Sequence, residues 1–341
     1  VRSFIRSIVA SYVLGSWVFI GCGCQESQQR AASKVPSGGA LATVNFEQGE
    51  PLRYKMVSER QTQIDLAGGG EKGKKSAPQT MTEKLELVMV YTPVEVDPFG
   101  LSKIAVSCES AKVTRTSFSG RDAGKDAVES LPQLSYTLTL TPTGQVDDAS
   151  QFEAVVRQLG DKAFAQVRPE AGRVKDADMI NDFIALQQSL WLAIASMDKP
   201  SEGLTAGKMW QTLQLMPWPS PMRPFPTRLT TFTLDSIAAD EQGARQAHFK
   251  TTYAISDKEV QNVPMPYEGS FQMRGLFGFL RNYRFESIDG GGTQVFDLDA
   301  GVLVRDEQKY TLHVGADFAL PLGDSKPVLT VQQTLLIERL L

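Results

Sequence analysis

The sequence predicts an α+β protein: a large, curved, unclosed and barrel-like antiparallel sheet with two amphipathic helices packed on one face. Three observations carry this. Segments in which apolar and polar residues alternate occupy the chain from Leu52 to Leu140 and again from Leu229 to Glu338. Two segments of helical spacing sit together between them. The strand links are short and turn-rich, as antiparallel neighbours require, and the many strands need a covered face that only two helices are available to cover.

In chain order, Arg2 and Arg6 precede an uncharged, largely apolar run, Ser7 to Gly21, which leads into Cys22. A positive start, a short apolar stretch and a small residue before the cut make a secretory signal over 1–21. A cysteine at the cut makes Phe19-Ile20-Gly21-Cys22 look like the lipobox of bacterial lipoproteins, although Phe19 stands where Leu is usual. The run is short for a hydrocarbon core about 30 Å thick. Cys22 is the expected lipidation site. Cys24 is a rival that would place Gly21, Cys22 and Gly23 before the cut, with no aliphatic residue for a signal peptidase. An uncleaved anchor, or an ordinary signal cut elsewhere, is the alternative. Lipidation with a diacylglycerol and an amide-linked chain such as palmitate would anchor durably, at about 0.8 kcal/mol per buried CH₂. Gly23 replaces the Asp that retains such proteins in the inner membrane, which directs the expectation to the outer membrane, facing the periplasm.

Residues 22–50 are rich in Gln, Ser, Ala and Gly and read as a flexible tether. A single domain is expected over 51–341, with two pseudo-equivalent halves, 51–148 and 205–341, joined by helices within 150–198. Strands are predicted at Leu52–Leu66, Lys84–Tyr91, Ile104–Cys108, Lys112–Phe118 and Ser135–Leu140, the last ended by the turn Pro142-Thr143-Gly144. Ser150 and Glu153 have capping-box spacing at the start of a helix that Pro169 closes. A second helix, about Asp178 to Met197, places Ile180, Phe183, Ile184, Leu190, Trp191 and Ile194 on one face. Strands return at Leu229–Ile237, Arg245–Ile255, Phe279–Ile288, Gln294–Leu298, Val302–Asp306, Tyr310–Leu320 and Val328–Glu338. Between helices and strands, Met216 to Pro226 holds five prolines and reads as a rigid extended connector, with partner docking as the other reading.

Composition narrows the chemistry. Formal net charge is −4, and loss of Arg2 and Arg6 with the signal leaves −6, so nothing favours nucleic acid as a partner. Two of the three cysteines sit at the processing site, and Cys108 alone reads as a small buried apolar side chain. Gly68 to Lys75 satisfies G-x-G-x-x-G and nearly a P-loop, but Lys75 stands where Ser or Thr must follow the lysine, and strands flank it. It reads as a solvated loop. His248 and His313 are single histidines in alternating strands; a metal-dependent hydrolase using them with Asp297 or Asp299 is a remote alternative. No cofactor is expected. Trp210, in Gly-x-x-Trp from Gly207, reads as a buried anchor at a strand start.

Four short motifs, Leu52-Arg53-Tyr54, Pro142-Thr143-Gly144, Gly207 to Trp210 and Phe296 to Gly301, together resemble an uncharacterised family of bacterial cell-envelope lipoproteins. Lys208 departs from it at a place often acidic. The resemblance implies localisation and fold rather than chemistry, and the fold looks like the unclosed barrels of lipoprotein carriers and lipid-binding lipoproteins. Two functions follow. One is a non-enzymatic binder of a lipid or other apolar ligand between sheet and helices, with Phe183, Trp191 and Phe249 lining the pocket. The other is an envelope scaffold that docks a protein partner and takes no small molecule. Oligomeric state is not legible.

Overall fold

Alternation of apolar side chains sets out eleven strands in the computed structural model, which describes residues 42–65, 79–116, 125–165, 179–197, 203–216, 226–258, 280–318 and 326–341. In order they are β1 (Leu52–Asp65), β2 (Gln79–Val96), β3 (Ser102–Thr116), a 3-10 helix (Ala127–Gln133), β4 (Ser135–Leu140) and β5 (Val146–Asp148). Helices α1 (Ser150–Ala165) and α2 (Ile180–Met197) follow. Then come β6 (Met209–Leu215), β7 (Thr227–Ala239), β8 (Arg245–Ser256), β9 (Leu280–Asp297), β10 (Val302–Phe318) and β11 (Val328–Leu340). The signal region with Cys22 and Cys24, the tether up to residue 41, the Gly68–Lys75 loop and Pro217–Phe225 lie outside the described residues. Among the described residues no helix is long and apolar enough to cross a membrane.

All strands join one antiparallel sheet in the order β5-β4-β3-β2-β1-β11-β10-β9-β8-β7-β6. Because β5 and β6 end that order, the sheet is not closed. The chain steps outward from β1 to β5, passes through the helices, and steps inward from β6 to β11. The two meanders meet where β1 pairs with β11, from Arg53↔Leu340 to Asp65↔Val328.

β2 runs beyond its expected ends, and three other strands, β3, β9 and β10, each join two segments that alternation sets apart. In β3 a bulge at Glu109 sets Cys108 opposite Met89 and Ser110 opposite Val88, so the apolar phase changes and one strand reads as two. In β9, Gly290 to Gly292 pair in unbroken register with Tyr310 to Gln308 of β10, which also joins the expected pieces of β10. Gly292 has to be glycine: a Cβ there would come within 2.3 Å of Glu307 O and 2.9 Å of both Thr251 Oγ1 and Tyr253 OH.

Helix starts follow carboxylates. Asp148 accepts the Ser150 N–H at 2.9 Å, and this bond holds its pKa below the usual value. Glu153 pairs with Arg157 one turn on. A capping box forms elsewhere, with Asp126 and Glu129 at the 3-10 helix.

The buried residues make two apolar clusters. One holds Tyr54, Leu87, Tyr91, Phe152, Phe183, Trp191 and Phe249; the other holds Ile64, Tyr253, Tyr310, Leu312, Val314 and Leu329. Between them the buried face turns polar. In β1 the buried positions Ser58, Arg60 and Thr62 separate Met56 from Ile64, and in β10 Asp306 and Gln308 separate Leu303 from Tyr310.

Candidate functional site

Phe183, Trp191 and Phe249 all fall in the first apolar cluster. Phe183 packs on Phe152 at 5.3 Å between ring centroids, and Trp191 meets Tyr91 at 5.3 Å and Phe46 at 6.3 Å. Phe249 meets the edge of Trp210 at 5.7 Å, and Trp210 stacks on Phe232. Trp210 begins β6 as expected but is only half-buried. These rings are packed against one another, and none but Phe232 lines the hollow described next.

Between α2 and the sheet lies a chamber of about 20 Å³. Ala185, Ser189 and Ala193, spaced by four on α2, form its roof together with Gln188 and Leu192, and the small side chains among them leave the space. Arg228, Thr230 and Phe232 reach it as alternate residues of β7, Gln214 from β6, Gln294 from β9 and Gln308 from β10. Arg228 is 5% exposed and touches no carboxylate among the described residues. It donates to Gln214 Oε1 (3.0 Å) and Gln308 Oε1 (2.7 Å), and its guanidinium lies 4.1 Å from the Tyr253 ring centre and 5.5 Å from that of Tyr310. Amide dipoles and aromatic faces thus carry a buried charge. Gln308 Nε2 passes the link on, donating to Asp306 Oδ2 at 2.7 Å. Burial pushes the Asp306 carboxyl up to about 6, against the pull of Gln308, Gln294 and Arg228. Among the described residues, Arg228 Nη1, Gln294 Oε1 and Asp306 Oδ1 have no hydrogen-bond partner. This set offers donors, acceptors and one cation around a small space with apolar walls, the chemistry of holding a polar group.

A second buried network fixes the start of α2. Asp182 accepts from Ser58 Oγ (2.7 Å) and from Arg60 Nη1 (3.0 Å). Arg60 also bonds Glu83 through Nε at 2.9 Å, Glu83 bonds Arg115 at 3.0 Å, and Arg115 reaches Asp126 at 3.3 Å. Asp126 in turn takes the Met179 N–H at 3.2 Å. Burial works against the Arg60 charge, but Asp182 and Glu83 outweigh it and raise its pKa. Further along α2, Gln187 Oε1 accepts from both Tyr91 and Tyr136.

Across β1, β2, β9, β10 and β11 runs a polar cleft of about 860 Å³, lined by Glu59, Gln61, Lys84, Lys309, Thr311 and Gln332 among others. Register puts these six on the face opposite Arg60 and Tyr310.

The remaining reactive types are engaged locally. Cys108 is buried, donates to Ser110 O at 3.2 Å, and burial pushes its thiol up to about 12. Asp297 caps its own turn by accepting from Asp299 N and Ala300 N, and Asp299 binds Arg245 at 2.6 Å. His313 Nδ1 lies 3.4 Å from Thr330 Oγ1, and His248 pairs across to Val295. Among the described residues no three His, Cys, Asp or Glu side chains are grouped to hold a metal ion.

The polar residues of the chamber escaped the sequence reading, yet a signal existed. Asp306 and Gln308 are in phase with Tyr310, Leu312 and Val314, and Arg228 and Thr230 with Phe232 and Leu234. Polar residues on the apolar phase of a strand mark a buried polar patch.

No family model matches the chain, and no curated protein matches it in sequence. Among solved structures, one on lipid–protein interactions in lipovitellin is similar over 87% of this chain and 25% of its own, with 9% identity and a TM-score of 0.41. The chain thus spans a quarter of that neighbour's length. DynF from the dynemicin biosynthesis pathway of Micromonospora chersina is similar over 90% of each chain, with 7% identity and a TM-score of 0.18. Both likenesses are distant, and neither brings an activity to this chain.

Proposed function

We propose that this protein is a non-enzymatic, lipid-anchored component of a bacterial cell envelope that holds an amphiphilic molecule between α2 and the sheet. In this reading α1 and α2 both cover the buried face, and Cys22 carries the anchor. The observation that supports it best is the chamber beneath α2, where Arg228 and Gln294 present unpartnered polar atoms among Leu192, Leu215, Phe232 and Leu335. A polar point with apolar walls suits a ligand that has a polar end and an apolar body. Native mass spectrometry of the protein gently extracted from its own membranes tests this, with a bound lipid-sized species expected. Protein that carries none, and that takes up no long-chain probe when offered one, would remove the reading.

A scaffold role has its own support. The aromatic residues expected to line a pocket fill the core, and the chamber is small. Recovery of one repeated protein partner after crosslinking in cells, with no ligand bound, would favour it.

A further inference from the structure

Two polar atoms of opposite kind belong to one hollow. Among the described residues Arg228 Nη1 is a donor without an acceptor and Gln294 Oε1 an acceptor without a donor, and both side chains line the chamber under α2. At 5% and 3% exposure, bulk water does not serve them. Buried polar atoms left unmet are costly, so a guest that satisfies both is favoured. Its chemistry is narrowly set. A carboxylate or phosphate oxygen would accept from Arg228 and repel Gln294 Oε1. An ether or carbonyl oxygen would accept and have nothing to donate. An ammonium group would face the guanidinium. Nor does the Gln294 amide turn over freely: it sits directly across from Asp306, and its favourable interaction with that carboxyl would be lost. The chamber, at about 20 Å³, exceeds the roughly 10–15 Å³ that one water needs.

The geometry points to a hydroxyl-recognition site beneath α2, in which one O–H group accepts from Arg228 Nη1 and donates to Gln294 Oε1. Water occupies it in the unloaded protein. In the loaded protein the hydroxyl of an uncharged, long-chain amphiphile replaces that water, with the apolar walls of the chamber against its first carbons and α2 moving to admit the rest. This rests on the amphiphile reading above and adds the identity of the polar end.

Three twelve-carbon probes separate the cases: 1-dodecanol, dodecyl methyl ether and dodecanoate, each titrated into the full chain and into Gln294→Leu. Dodecanol is expected to bind the unaltered chain about fivefold more tightly than the ether, the ratio that one hydrogen bond of ordinary strength produces. Gln294→Leu removes the acceptor and is expected to abolish that preference. Equal binding of alcohol and ether to the unaltered chain would overturn the hydroxyl site, and tighter binding of dodecanoate would replace it with an anion site. Either result leaves the amphiphile reading standing. Absence of saturable binding by all three would overturn both. Should Gln294→Leu fail to fold, the alcohol-to-ether ratio in the unaltered chain decides alone.

Discussion

At Asp306 the sheet holds a carboxyl that is 2% exposed, bonded to Gln308, and one amide away from the Arg228 guanidinium. Its pKa in the folded chain is about 6 against an ordinary value of 3.8. Between those values the folded chain keeps a proton that the unfolded chain has released. Stability therefore falls as pH rises through this window and levels off above it. The full effect is of the order of 3 kcal/mol. Asp306→Asn keeps an acceptor for Gln308 and removes the charge. Thermal melts are expected to show it more stable than the unaltered chain at pH 7.5 and nearly equal at pH 4. An equal or lower melting temperature at pH 7.5 would mean that Arg228 depends on the carboxylate. Burial at this scale was legible for Phe183, Trp191 and Phe249, whose size and apolar phase place them inside. Whether they line a space was not, because their neighbours Tyr91, Phe152 and Trp210 arrive from strands and helices far along the chain. Asp306 was hidden for a different reason: breaking β10 after it cut it off from the apolar phase of Tyr310 and Leu312.

Helix α2 is held at its start by charge. Asp182 is shared by Ser58 and Arg60, and without it Arg60 keeps only Glu83 among the described residues. Asp182→Ala is expected to cost about 3–5 kcal/mol in urea unfolding, as removal of one member of a buried pair does. A loss under about 1 kcal/mol, the range of exposed pairs, would show that water reaches this network. In β9, Gly292→Ala is expected to cost about 1–3 kcal/mol, because its methyl would press on Glu307 O and Thr251 Oγ1. An unchanged midpoint would mean that β9 and β10 can part there without loss. Both helices were legible to within a few residues from their spacing and acidic starts. The bulge at Glu109 was not, since one extra residue reverses the alternation and resembles a break.

For the molecule as a whole, anchoring is the property to check first. Cys22→Ala is expected to move the protein from the membrane fraction to the soluble envelope fraction; retention in the membrane would point to Cys24 or to an uncleaved leader. Strands on both sides of a helical middle were legible, and so was an antiparallel sheet. The strand order was not. Alternation identifies which face of a strand is buried but says nothing about which strand lies beside it, and the pairing of β1 with β11 joins distant parts of the chain.

That seam also constrains assembly in time. Synthesis from the N-terminus delivers β1 early, yet its second neighbour arrives only with Val328 to Leu340. Until then a long open strand edge waits, the kind of surface that recruits stray chains. Such distant contacts close slowly. How long that edge stays uncovered would decide how much of this protein matures and how much clumps.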